Sequence, residues 1–208
     1  MEADPEVVSP ERVQRVAAAL ERRLGSVVAV CEAVRRRHNV SAILRSCEAF
    51  GIHEVHLVTS GFRAAAGAAR GGERWVVRRR HDRVEDAIAA LHARGFRVYA
   101  ADLEAGAYTP ESVPVDTPLA VLFGSEMTGV STTARSLCDG VVHVPMVGLT
   151  ASLNVSVSAA IILRTIADRR RAAVGPDLAP EAREEFLRTW LEAERRAQRG
   201  RVARTTAR

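Results

Sequence analysis

The feature that most limits the fold is a series of short apolar segments separated by stretches with helical spacing. Residues 26–34, 55–59, 75–77, 96–101, 119–123 and 141–144 read as strands. Several are apolar at successive positions rather than alternate ones, as expected of strands buried on both faces. Between them run the helices. Pro10 suits the first turn of a helix over 10–24, with Val13, Val16, Leu20 and Leu24 on one face. Asn39 is placed to cap a second helix, whose face is Val40, Ile43, Leu44, Cys47 and Phe50 before Gly51 ends it. A third covers 84–93 and stops near Gly95, and a long small-residue helix runs from Ser152 into Arg169. Phe186, Leu187, Trp190 and Leu191 stripe a terminal helix, with 172–180 as the linker before it. This alternation predicts an α/β fold, a parallel sheet with helices on both faces.

A chain of 208 residues can build one domain with a full core, here 1–208 with a helix near 10–24 and a helix and tail near 180–208. Hydrophobic residues make up 47% of it, so a packed interior needs no disulfide support. Cys31, Cys47 and Cys138 form no CxxC pair and read as buried free thiols. No apolar run approaches the roughly 18 residues of a membrane span, and MEADPEVVSPER has no signal-peptide core. A cytoplasmic protein is expected, and the Asn39 and Asn154 sequons are coincidental.

Charge adds a partner. The net charge is +5, and all 30 basic residues are arginine. They cluster at 35–37, 78–80, 169–171 and in a tail from Arg195 to Arg208 that holds six arginines and no acid. Arginine's planar fork pairs with phosphate at two points, so nucleic acid is the expected partner.

Common catalytic motifs fail. Gly124–Ser131 has the glycine spacing of a phosphate loop, but Val130 stands where lysine is required. No GxGxxG follows the first strand, and there is no GxSxG elbow. His53-Glu-Val-His56 has the wrong spacing for a zinc helix and lies on a strand, where i and i+3 face opposite ways. No metal is expected.

Three stretches remain. NVSAILR places Arg45 off the apolar face of its helix, within reach of a ligand. LAVLFGSE ends a strand in Gly124 and then Glu126, setting a carboxylate at the carboxyl edge of a parallel sheet, where ligands bind. VPMVGLTASLNVSVSAA stops a strand at Pro145, bends at Gly148 and caps a helix at Ser152. Its small side chains permit close backbone approach, which an adenine ring held by main-chain groups would need and which a turn followed by a tightly packed helix would use equally.

In this order and spacing the three stretches resemble the motifs of the SPOUT methyltransferases, nearest to the TrmH family of RNA ribose 2′-O-methyltransferases. The likeness extends to GGERWVVRRRH and GFRVYAADL and covers about Pro10 to Arg171. It implies a C-terminal deep trefoil knot, an S-adenosyl-L-methionine cofactor, a homodimer and an RNA substrate. By resemblance, Ala101, Gly124, Val144, Met146 and Leu153 line the cofactor site, while Asn39, Arg45, Glu126, Ser152 and Asn154 match catalytic and substrate-side positions. Without the extra N-terminal RNA-binding domain of related rRNA enzymes, the expected target is tRNA, at guanosine-18. Methylation of rRNA or of another tRNA position, and a non-catalytic RNA-binding homologue, remain alternatives.

The family mechanism makes the arginine, here Arg45, a general base. Neutralising a guanidinium of pKa about 12.5 at pH 7 costs roughly 7 kcal/mol, and a nearby phosphate raises that cost. A charged Arg45 that fixes phosphate and stabilises a developing alkoxide is the preferred reading. Met127 departs from the family's second motif, which usually carries lysine there.

Overall fold

The computed structural model describes residues 8–58 and 72–206, without the side chains of 72–73 and 198–206. The chain divides into two compact units. One comprises the N-terminal residues to Arg23 together with those from Leu178 onward; the other is Leu24–Asp177.

The larger unit holds a six-stranded sheet in the order β3-β2-β1-β5-β4-β6, with every pairing parallel. The strands are β1 Leu24–Glu32, β2 Ile52–Val58, β3 Val77–His81, β4 Arg97–Ala101, β5 Leu119–Phe123 and β6 Gly140–Val142. Strand alternation divides the interior into two layers. Val27, Ala29 and Cys31 of β1 and Val121 of β5 pack with Ile43, Leu44 and Cys47 of helix α2 (Arg37–Ala49) and Ile162, Leu163 and Ile166 of helix α5 (Val155–Val174). Val28, Val30, Ala120 and Leu122 pack oppositely, against Ile88 and Leu91 of helix α3 (Val84–His92) and Ala134 of helix α4 (Thr132–Leu137). Each fully buried Val, Leu or Ile among them contributes about 1.5–3 kcal/mol.

The smaller unit pairs helix α1 (Pro10–Leu20) with helix α6 (Pro180–Thr206). Ser9 caps α1 by accepting the Arg12 N–H at 3.3 Å. Arg12 pairs with Glu194 at 3.3 Å and lies 5.6 Å from the Trp190 ring centroid.

The parallel α/β architecture matches the sequence reading, and several boundaries differ. The first helix ends at Leu20 rather than 24, because fully buried Leu24 opens β1 and donates its N–H to the Gly51 carbonyl. The expected strand over 75–77 is instead a 3₁₀ turn, Gly72–Trp75, followed by β3. Thr59, the expected end of the second strand, lies outside the described residues. Helix α5 extends to Val174, five residues past Arg169, and Gly175 at φ 75° ends it within the expected linker.

Candidate active site

Strand order reverses between β1 and β5, and at such a switch point an α/β sheet presents a crevice beyond the carboxyl ends of its strands. Segments leaving β4, β5 and β6, with the start of α5, enclose a cleft of about 530 Å³. That is the size of a small-molecule site.

Its tightest element is the turn after β5. The Ser125 N–H donates to the Gly129 carbonyl and the Gly129 N–H to the Ser125 carbonyl, both at 2.9 Å. Gly129 has φ 68°, and a Cβ on Gly124 would overlap the main chain of Gly129 and Val130. Only glycine fits at 124 without moving that loop.

Glu126 links this turn to the first motif. Its carboxylate accepts the Arg35 N–H at 3.2 Å, the Arg36 N–H at 3.3 Å and the Asn39 side-chain amide at 2.7 Å. Burial works to raise the Glu126 carboxyl; the hydrogen bonds from Asn39 and from backbone N–H groups, those of Arg35 and Arg36 among them, outweigh it and hold it below the usual carboxylate range. The expected cap at Asn39 is therefore corrected. Arg36 is the N-cap of α2 and makes no side-chain cap bond; Asn39 is the third helical residue, and an acid 87 residues away serves the helix start.

Asn39 reaches the third motif as well, accepting from the Asn154 side-chain amide at 3.3 Å. Asn154, rather than Ser152, caps α5 by accepting the Ser156 N–H at 2.8 Å. The physical reason is position: residues 150–153 stay irregular, so Ser152 precedes the helix by three residues.

Ala101, Gly124, Val144, Met146 and Leu153 all line the cleft, as do Glu126, Ser152 and Asn154. Asn39 stands behind the wall, hydrogen-bonded to two of them. Arg45 is exposed and is not among the lining residues. Phe123 and Asp102, within LAVLFGSE and GFRVYAADL, Arg36, within the cluster at 35–37, His143, within the expected strand over 141–144, and Ile162 also line it, yet nothing in the sequence set them apart as site residues. The Nδ1 atom of His143 is buried with no hydrogen-bond partner among the described residues. Burial pushes the Cys31 and Cys138 thiols up to about 12 and Cys47 well above its ordinary value, so none is a thiolate nucleophile. Among the described residues no group of three or more His, Cys, Asp or Glu side chains could hold a metal ion.

A cleft beyond the strand ends, built on the Gly124 turn and lined by both apolar and polar residues, is the place where an α/β protein binds and orients a small molecule. Residues 26–164 match the model of the SpoU rRNA Methylase family, and the chain belongs to that family. It is 41% identical over 186 residues to a tRNA (guanosine(18)-2'-O)-methyltransferase of Thermus thermophilus, covering 86% of this chain and 95% of the relative. The Escherichia coli protein of the same name is 36% identical, covering 86% and 81%. Among solved structures, the Aquifex aeolicus TrmH/SpoU tRNA modifying enzyme superposes with a TM-score of 0.79 at 28% identity, covering 88% of this chain and 96% of that one. The SpoU methyltransferase AviRb of Streptomyces viridochromogenes, in complex with AdoMet, gives 0.59 at 25% identity, covering 72% and 58%.

Proposed function

We propose that this protein transfers the methyl group of S-adenosyl-L-methionine to the ribose 2′-hydroxyl of guanosine-18 in tRNA. The observation that carries the reading is the meeting of all three motifs at one cleft, through the Glu126–Asn39–Asn154 hydrogen bonds. Relatives named for this reaction at 41% and 36% identity support the choice of nucleotide.

The cleft suits the cofactor. Apolar Phe123, Val144 and Leu153 line it beside the Gly124–Gly129 turn, as a flat ring requires, and the orphaned Nδ1 of His143 is a polar atom for a ligand group to satisfy. Ala101, Gly124, Val144, Met146 and Leu153 would hold the cofactor, which when bound supplies an electrophilic methyl. Ionised Glu126 fixes the start of α2 and orients Asn39, and Asn154 carries that order into the third motif. Arg45, exposed on α2, binds substrate phosphate and stabilises the oxygen as it loses its proton. Ser152 faces the same cleft on the substrate side.

The reading extends to a single catalytic chain with a C-terminal trefoil knot, active in the cytoplasm as a homodimer. Exposed Val147, Leu149, Val157 and Ile161 support the homodimer as apolar surface for a second copy to cover. No helix among the described residues is long and apolar enough to cross a membrane.

The test is incubation of tRNA and rRNA transcripts with labelled S-adenosyl-L-methionine, followed by mapping of the methyl. The expected product is 2′-O-methylguanosine at tRNA position 18. A methyl on a base, or confined to rRNA, overturns the proposal.

A further inference from the structure

His143 and Asp102 lie on the same wall of the cleft, at the carboxyl ends of the neighbouring strands β6 and β4. Main-chain hydrogen bonds fix both: the Asp102 N–H donates to the Val142 carbonyl at 3.3 Å, and the His143 N–H to the Tyr108 carbonyl at 2.9 Å. Their side chains differ. Asp102 is fully oriented, its Oδ1 accepting the Leu103 N–H at 2.8 Å and its Oδ2 accepting Arg135 Nη1 at 2.6 Å. Arg135, on α4, also pairs with Glu104. The imidazole of His143 has Nδ1 buried and without a hydrogen-bond partner among the described residues.

A buried polar atom without a partner costs stability in the empty protein, and on the wall of a ligand cleft a ligand group can supply that partner. Asp102 narrows the choice of ligand group. Its carboxylate has acceptor sites beyond the two already used, and its charge disfavours another carboxylate on this wall. Vicinal hydroxyls suit it: they donate to a carboxylate, and they donate to or accept from an imidazole nitrogen.

We propose that His143 is a cofactor-binding residue, and that with Asp102 it holds the ribose hydroxyls of the bound nucleoside. This rests on the reading of the cleft as the S-adenosyl-L-methionine site. Arg135 is then a positioning residue, acting through Asp102.

The experiment is calorimetric titration with two ligands, S-adenosylhomocysteine and 5′-methylthioadenosine, which keeps the nucleoside and lacks the amino-acid portion. His143→Phe weakens both by about tenfold, the equivalent of one neutral hydrogen bond. The melting temperature of the ligand-free variant stays level or rises, since an unsatisfied polar atom is removed. His143→Asn, whose side-chain amide nitrogen lies near the position of Nδ1, recovers most of the affinity. Asp102→Asn weakens both ligands equally. Unchanged dissociation constants for His143→Phe overturn the proposal, as does a loss confined to S-adenosylhomocysteine, which would place the imidazole at the amino-acid end. If wild-type protein binds neither ligand, it is the cofactor reading that fails.

Discussion

Glu32 and Ser131 lie 99 residues apart in the chain and are joined twice. The Ser131 N–H donates to Glu32 Oε2 at 3.0 Å, and its hydroxyl donates to Oε1 at 2.5 Å. The same hydroxyl oxygen accepts the Ala134 N–H and caps α4. Glu32 thus holds the far end of the loop that begins at Gly124, while Glu126 inside that loop holds residues 35–39. Each segment grips the other through one carboxylate. The chain turns between these grips at Ala33, whose φ of 51° is a left-handed conformation costing a non-glycine residue about 1–2 kcal/mol.

Removing the first grip should loosen fold and cleft together. Glu32→Ala leaves the Ser131 N–H and hydroxyl unpaired in a part-buried site, at a cost of about 3 kcal/mol in urea unfolding. Glu32→Gln retains an acceptor and costs about half as much. A double-mutant cycle with Ser131→Ala should give a coupling energy of about 1 kcal/mol or more. Additive losses would show that the two residues stabilise the loop separately.

At Gly124 the constraint is steric. An alanine methyl there must displace the Gly129–Val130 main chain, which has no flexible side-chain end to yield. Gly124→Ala should lose about 1–3 kcal/mol of stability and weaken S-adenosylhomocysteine by about tenfold or more as the cleft floor shifts. Wild-type affinity in this variant would mean that the floor of the cleft is not where the ligand lies.

The parallel sheet and the three motifs were legible because their signals are local. Runs such as Leu119–Phe123 are apolar at every position, and a glycine that must meet main chain is a glycine in the sequence. What the sequence hid depends on partners far along the chain. Strand β3 is an edge strand with Arg78, Arg79 and Arg80 exposed, so it lacks the apolar pattern that marks the others. Helix α4 has only six residues and shows no periodicity. The start of α2 is capped from Glu126, which no inspection of residues 36–39 could reveal. The triplet at 169–171 reads as a phosphate contact, yet Arg169 donates to the Pro110 and Val113 carbonyls, Arg170 to Ser26 and the Val115 and Asp116 carbonyls, and Arg171 to the Phe50 carbonyl. Irregular segments leave carbonyls without ladder partners, and these arginines supply the donors.

A second charged cluster, around Glu54, should contribute to the response to acid. Glu54 on β2 accepts from His56 at 2.7 Å, Arg94 at 2.5 Å and Arg79 at 3.0 Å, and His81 bonds His56 at 3.0 Å. Burial pulls the Glu54 carboxyl up, but His56, Arg94 and Arg79 together drive it well below the carboxylate range. A depressed folded-state pKa gives stability that is complete above the unfolded value, about 4.3, and is lost as pH falls toward the folded one. Glu54→Gln should therefore be less stable at pH 7, by about 1.5–3 kcal/mol, with a shallower fall in stability below pH about 4.5 than wild type. Parallel curves for the two proteins would remove Glu54 from the acid response.

On the proposed reading, Arg45 is the residue whose substitution reports how the ribose hydroxyl is activated. On α2 it is exposed and makes no hydrogen bond or ion pair with the other described residues, so it is free to meet substrate phosphate. If it acts as a fixed charge, Arg45→Lys should retain reduced activity, down by about tenfold because a point charge replaces a two-pronged fork. Arg45→Ala should lose about a hundredfold or more. In neither variant should the pH dependence of kcat move, because a fixed charge at this position neither gains nor loses a proton during the reaction. An active Arg45→Lys enzyme whose profile is displaced toward lower pH would assign the proton to residue 45, since an ammonium of pKa about 10.4 gives up its proton more readily than a guanidinium.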